Sequence, residues 1–274
     1  MSKSCTRLFH NLRNVTHAVK RSFRSEKSIT KQEVKDVSIP MPWGHISGKL
    51  WNPHLETRPI LAVHGWLDNC NTFNTLAPLL PKHVSLLSID FPGHGLSSRI
   101  PDGLMYSTFE LPVVLYRIQQ HFGWDKISLL GHSMGSIIVF MYCCTFPEKA
   151  TFKSVNKELC HHLLQRCVAP SHSDPKKFYF TGDKRLPSMI VGGINQESII
   201  SLARNINLPF LAVKATNSPY FEDKKYYYEV LDVLKKNHLF EHHYVEGTHH
   251  VHLNEPEKLK DIINGFITKY RPPV

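Results

Sequence analysis

Apolar positions along the chain come in short bursts whose period switches between two and about three and a half. In "VKDVSIPMPWGHISGKLWN" the alternation predicts two antiparallel strands joined near Pro42, Trp43 and Gly44. "PILAVHG", residues 59–65, is a continuous apolar run closed by glycine, the pattern of a buried strand. A polar stretch with Asp68 and Asn69 leads into "TFNTLAPLL", where helical periodicity runs to a stop at Pro81. "HVSLLSIDF" predicts another strand. Residues 108–122 predict an amphipathic helix, with apolar Phe109, Val113, Leu115, Ile118 and Phe122 and a break point at Pro112. "KISLLGHS" is a third central strand, and "MGSIIVFMYCCTF" the helix that follows it.

Between residues 149 and 207 the pattern changes. "KSVNKELCHHLLQRCV" and "NQESIISLARNI" read as helices around a polar, glycine-containing loop. Alternation then resumes with "LPFLAVKAT" as a strand, a helix near residues 225–236, the strand "HLFEHHYVEG" and the closing helix "PEKLKDIINGFITKY". Strands alternating with helices predict an α/β fold, a doubly wound, mostly parallel sheet with helices on both faces. The changed stretch reads as a helical cap inserted into it. The expected division is a basic N-terminal segment (1–32), a first part of the core (33–148), the cap-like insertion (149–207) and a second part of the core (208–274). In such sheets the ligand crevice lies beyond the carboxyl ends of the strands. His64, Gly65, Trp66, Asp90, His94 and Ser133 each follow a predicted strand.

The chain has 274 residues, 42% hydrophobic and 20% charged, which suits one large globular domain with a well-buried core. No apolar run approaches the roughly 20 residues of a membrane span, so stable membrane insertion is not expected. The formal charge of +10 raises the question of nucleic acid. Lysine and arginine are scattered, however, and no nucleic-acid-binding motif accompanies them, so no such partner is expected. Lys3, Arg7, Arg13, Lys20, Arg21 and Arg24 fall in a first stretch of 25 residues that has no acid. That composition fits either a mitochondrial transit segment or a solvated basic tail, which leaves cytoplasm and mitochondrion open as compartments. Six cysteines without C-x-x-C spacing point to a reduced compartment. The adjacent Cys143 and Cys144 read as small buried hydrophobes.

The candidate chemistry lies in Gly131-His132-Ser133-Met134-Gly135. This fits G-x-S-x-G, where glycines leave room for a sharp strand-to-helix turn that exposes the serine hydroxyl. Four stretches, "LAVHGWLDNCNTF", "SIDFPGHGLSS", "GHSMGS" and "EGTHHVHLNEPEKL", together resemble the α/β-hydrolase superfamily, of the serine-hydrolase-like kind. The resemblance covers about residues 37–270, weakly through 149–207. It implies Ser133 as nucleophile and His249 as its base, with His250 and His252 as neighbours of which only one can face the serine. It implies an oxyanion hole made by the backbone N–H groups of Trp66 and Met134. Asp90 and His94 fall in a shaping loop outside the site. No cofactor is implied. His242, His243, His249, His250 and His252 raise a metal site, but no H-E-x-x-H or cysteine ligand set accompanies them and none is expected.

The triad acid is harder to place. Members of the resembled family carry it after the strand that follows the nucleophile helix, or after the next strand beyond the cap. "FPEKATFKSVNKELC" contains no strand-like run, so one central strand is expected to be missing and its sheet position vacant. Beyond the cap "KATNSPYFEDKKYY" offers Glu222 and Asp223, and Asp223 is the choice by triad order. The expected function is a serine hydrolase cleaving a small-molecule ester or similar acyl substrate through an acyl-enzyme. The alternative is a weak or inactive α/β-hydrolase-fold protein that binds a ligand or partner, which the absent strand favours.

Overall fold

A computed structural model describes residues 33–146, 166, 168–170, 178–183, 185–186, 195–220 and 223–273. The basic segment 1–32, Glu222 and most of the helix expected over 153–168 lie outside the described residues.

Strands β1 (Val34–Met41) and β2 (Gly44–Trp51) pair antiparallel from Val34 opposite Trp51 to Met41 opposite Gly44. The turn between them is Pro42 and Trp43, as the alternation predicts. Strands β3 (Ile60–Val63), β4 (Leu86–Ile89) and β5 (Ser128–Gly131) complete a five-stranded sheet in the order β1-β2-β4-β3-β5. β3 runs parallel to both β4 and β5. All four residues of β3 and of β4 are buried, which is why these segments read as unbroken apolar runs.

Helix α1 (Leu111–His121) has a proline in its first turn. Pro112 therefore starts the helix, where its missing N–H costs nothing, and does not break it. Residues 72–80 differ from expectation, forming two short 3-10 turns, Cys70–Phe73 and Ala77–Leu79. Asn69 caps the first by accepting the Asn71 amide, and Pro78 removes a donor from the second. Helix α2 (Met134–Thr145) follows β5 directly.

In the region expected to be a helical insertion, β6 (Val168–Pro170) and β7 (Phe178–Phe180) form an antiparallel pair, and α3 spans Gln196–Ala203. Next come β8 (Phe210–Ala215), α4 (Lys224–Leu234), β9 (Phe240–Val245), α5 (Val251–Asn254) and α6 (Glu257–Tyr270). β8 and β9 pair parallel as a two-stranded sheet of their own. Among the described residues no strand joins β5 to β8, the position at which the sequence lacks a strand-like run. Leu129 and Leu130 of β5 and Leu211 of β8 instead line one apolar crevice with Ile263, Phe266 and Ile267 of α6.

Packing holds the two sheets together on both faces. Leu61, Val63 and Leu129 share a core with Ile138 and Val139 of α2 and with Phe210 of β8. Ile60, Ala62 and Leu130 point the other way and pack with Ala215, Val245, Ile263 and Ile267. No helix among the described residues is long and apolar enough to cross a membrane.

Candidate active site

β5 ends at Gly131 and α2 begins at Met134, so the chain must turn from strand to helix within two residues. Ser133 takes the strain, with φ 50° and ψ −115°, a positive φ that a residue with a Cβ rarely adopts. The turn is tight enough that a Cβ on Gly131 would stand 2.6 Å from the Gly135 carbonyl oxygen. The Ser136 hydroxyl ties the turn from below by donating to the Gly131 carbonyl at 3.0 Å. The Ser133 side chain is thereby lifted beyond the end of the strand.

Ser133 Oγ lies 2.8 Å from His249 Nε2. His249 comes from the loop between β9 and α5, and its Nδ1 lies 2.8 Å from Ser218 Oγ. Ser218 sits in the turn after β8, its amide donating to the Ala215 carbonyl at 3.1 Å. Burial lowers the pKa of His249 first, and the ammonium of Lys214 lowers it further, while Asp68 acts in the opposite direction. Lys214 is held close by donating to the Ser218 carbonyl at 2.6 Å. His249 is thus kept neutral at physiological pH, the state in which Nε2 can accept a proton.

Asp223 is not brought to His249. It is the N-cap of α4, and its carboxylate accepts the Lys225 amide at 3.0 Å. A short acidic side chain just before a helix finds its own orphan amides first, which is the physical reason for the difference. Neither of the other two histidines takes the place of His249 beside Ser133. The His250 ring packs 4.8 Å from that of His132, and His252 is fully buried against Phe73 and His132.

Met134, the first residue of α2, carries one of the amides that a helix leaves without an internal partner. The His64-Gly65-Trp66 turn lies against Ser133, since a Cβ on Gly65 would stand 2.9 Å from the His132 ring and 3.2 Å from Ser133 Cβ. Trp66 is half exposed and its Nε1–H donates to the Leu186 carbonyl at 3.2 Å. The buried His64 fixes this turn. Its Nδ1 meets the Gly65 carbonyl at 2.7 Å, and its Nε2 accepts the Phe91 amide at 2.9 Å.

Asp90 holds the neighbouring loop together. It accepts from the amides of Cys70 and Leu96 at 2.8 and 2.9 Å and from Arg166 Nε and Nη2 at 3.1 and 3.0 Å. His94 is buried against His64, and burial pushes its pKa down to about 3. Both residues brace loops around the site and lie away from the Ser133 hydroxyl.

A family model described as the alpha/beta hydrolase fold matches residues 58–151. The Drosophila melanogaster "Probable serine hydrolase" is 30% identical over 291 residues, covering 85% of this chain and 87% of the relative. This chain belongs to the α/β hydrolases of the serine hydrolase-like group. The α/β hydrolase is likewise 27% identical to human serine hydrolase-like protein 2 over 297 residues, covering 85% and 94% of the two chains. The solved structure of a hypothetical protein from Pseudomonas aeruginosa superposes with a TM-score of 0.70 at 21% identity, covering 86% of this hydrolase and 99% of that chain. Both alignments with the relatives run longer than the 274 residues of this hydrolase while taking in only 85% of it. The relatives therefore carry stretches for which this hydrolase has no counterpart.

Three residues at the site of this α/β hydrolase escaped the sequence reading. Lys214 left a faint signal, a lone charge inside the apolar strand "FLAVKA". Asp68 stood in plain view in the loop after β3. Ser218 carried none, because a serine in a polar turn looks like any other.

Proposed function

We propose that this α/β hydrolase cleaves a small-molecule ester or similar acyl substrate through an acyl-enzyme on Ser133. The observation that carries the reading is the 2.8 Å approach of Ser133 Oγ to His249 Nε2 from a strained turn. Ser133 Oγ attacks the acyl carbon as its proton passes to His249 Nε2, while Nδ1–H stays on the Ser218 hydroxyl. The negative oxygen of the tetrahedral intermediate is received by the N–H groups of Trp66 and Met134. His249 then returns the proton to the departing alcohol, leaving an ester on Ser133. Water attacks that ester by the same proton route in reverse, releasing the acid and the free serine. A carboxylic ester fits this set of groups, which supplies one nucleophile, one base and donors for one oxyanion.

A second reading has a specific observation behind it. Among the described residues no strand joins β5 to β8, so the sheets that carry Ser133 and His249 are not laddered together. On that reading the protein retains the fold and turns over slowly or not at all. Labelling with a fluorophosphonate probe distinguishes the two. Hydrolysis requires label on wild type, mapped to Ser133 and absent from Ser133→Ala, whereas no label on folded wild type leaves the binding role.

A further inference from the structure

The loop after β3, the nucleophile turn and the loop after β9 each send one further side chain to a common point. We propose that Asp68, His132 and His250 form a binding site for a single divalent transition-metal ion of the zinc class, beside the Ser133–His249 pair. One ligand atom from each of the three lies within 4.8 Å of those from the other two. Asp68 Oδ2 and His132 Nδ1 are 3.4 Å apart. That equals, at about 3.4 Å, the edge of a tetrahedron built on zinc bonds of about 2.0–2.1 Å. Binding would require the half-buried His250 ring to close the remaining separations, which stand within 4.8 Å.

Burial makes the arrangement hard to explain as ordinary packing. Asp68 is 4% exposed and His132 1%. Asp68 Oδ2 and both ring nitrogens of His132 have no hydrogen-bond partner among the described residues. Buried polar atoms are paired almost everywhere in folded proteins, and an orphaned cluster calls for water or an ion. Here the orphans that face one another are Asp68 Oδ2 and His132 Nδ1, 3.4 Å apart. The other Asp68 oxygen accepts the Asn69 amide at 2.6 Å, which fixes the carboxylate plane as an outer hydrogen bond does in metal centres.

Imidazoles must be neutral to bind a metal. Two neutral imidazoles and one carboxylate leave a fourth position of a tetrahedron for water. The set has no local sequence motif because its members come from residues 68, 132 and 250. A search for spaced ligands within the histidine-rich stretch 242–252 could not find it.

The site exists or not whatever Ser133 does, and binding is measured directly. Full-length protein stripped with chelator is titrated with ZnCl2 by calorimetry at pH 7.5, and its thermal midpoint is read with and without ZnCl2. The expected result is one zinc per chain with a raised midpoint. His250→Ala and Asp68→Asn should weaken that binding at least tenfold and abolish the rise, while His243→Ala, at a half-buried position of β9, retains both. Asp68 is buried, so if Asp68→Asn does not fold, the half-buried His250→Ala decides. Wild type that takes up no zinc, or His250→Ala that binds as wild type does, overturns the proposal.

Discussion

Gly135 lies so close to the strand leading to His64 that a Cβ there would stand 2.4 Å from the Val63 carbonyl oxygen. The contact is backbone against backbone and neither side can swing away. Gly135→Ala is therefore expected to destabilise the fold by about 1–3 kcal/mol, as overpacking does. It should also slow fluorophosphonate labelling by shifting α2 away from β3 and turning the Ser133 hydroxyl. Urea melts and labelling rates measure the two effects, and an alanine variant with wild-type values of both would mean that the turn yields to the added methyl group.

On the proposed mechanism His249 takes the serine proton, and His249→Ala removes that group. Loss of one member of a nucleophile–base pair removes most of what the pair contributes, so kcat on an activated ester should fall about 10⁴-fold or more. His250→Ala, assayed without added metal, should lose less than tenfold. Comparable losses in both variants would show that the histidine cluster acts as a structural unit.

The pH profile should report what surrounds His249. Only its neutral form accepts a proton, so kcat/KM falls as pH drops through its pKa, and a lowered pKa places that fall below the usual 6.5. Lys214→Met removes a cation that opposes the imidazolium. The pKa then rises and the acid limb moves to higher pH. Ser218→Asp should move it the same way, because a carboxylate close to Nδ1, where the hydroxyl now stands at 2.8 Å, favours the imidazolium. Ser218→Ala should lower kcat about tenfold, the worth of roughly one hydrogen bond. A limb unmoved in both Lys214→Met and Ser218→Asp would place the titrating base elsewhere.

Arg166 binds the fully buried Asp90 through two guanidinium nitrogens and also donates to Ser47 Oγ at 2.8 Å. Arg166→Met leaves the carboxylate buried without its counter-charge. Breaking a buried pair in this way costs about 3–5 kcal/mol, and a urea melt should show a loss of that size. A shift below about 1 kcal/mol would mean that the two amide donors alone satisfy Asp90.

Much of this architecture is legible in the chain. The runs that became β3, β4 and β5 are short, apolar and closed by glycine or aspartate, and burial on both faces leaves no other pattern open to them. Ser133 and His249 stand in stretches whose spacing carries the resemblance. The strand pair β6–β7 was not legible, because three-residue strands are too short to show a period. Pro112 misled because proline excludes a helix interior but not a first turn. Position after β8 does not say where the Asp223 carboxylate turns, and it turns to the first amides of α4. A cap hydrogen bond two residues long won over one spanning a loop.

Ser133 stands at the end of the five-stranded sheet and His249 beyond the end of the two-stranded one, so their hydrogen bond crosses a joint between two separately laddered units. A ladder fixes strand positions by directional bonds, whereas the joint is set by aliphatic side chains that slide. The working range of such a bond ends near 3.2 Å, about 0.4 Å beyond the distance found here. A slip too small to melt any strand is therefore enough to part nucleophile from base. The proposed reactivity would then be a property of how two pieces are docked, and warming or mild denaturant should silence it while each piece is still folded.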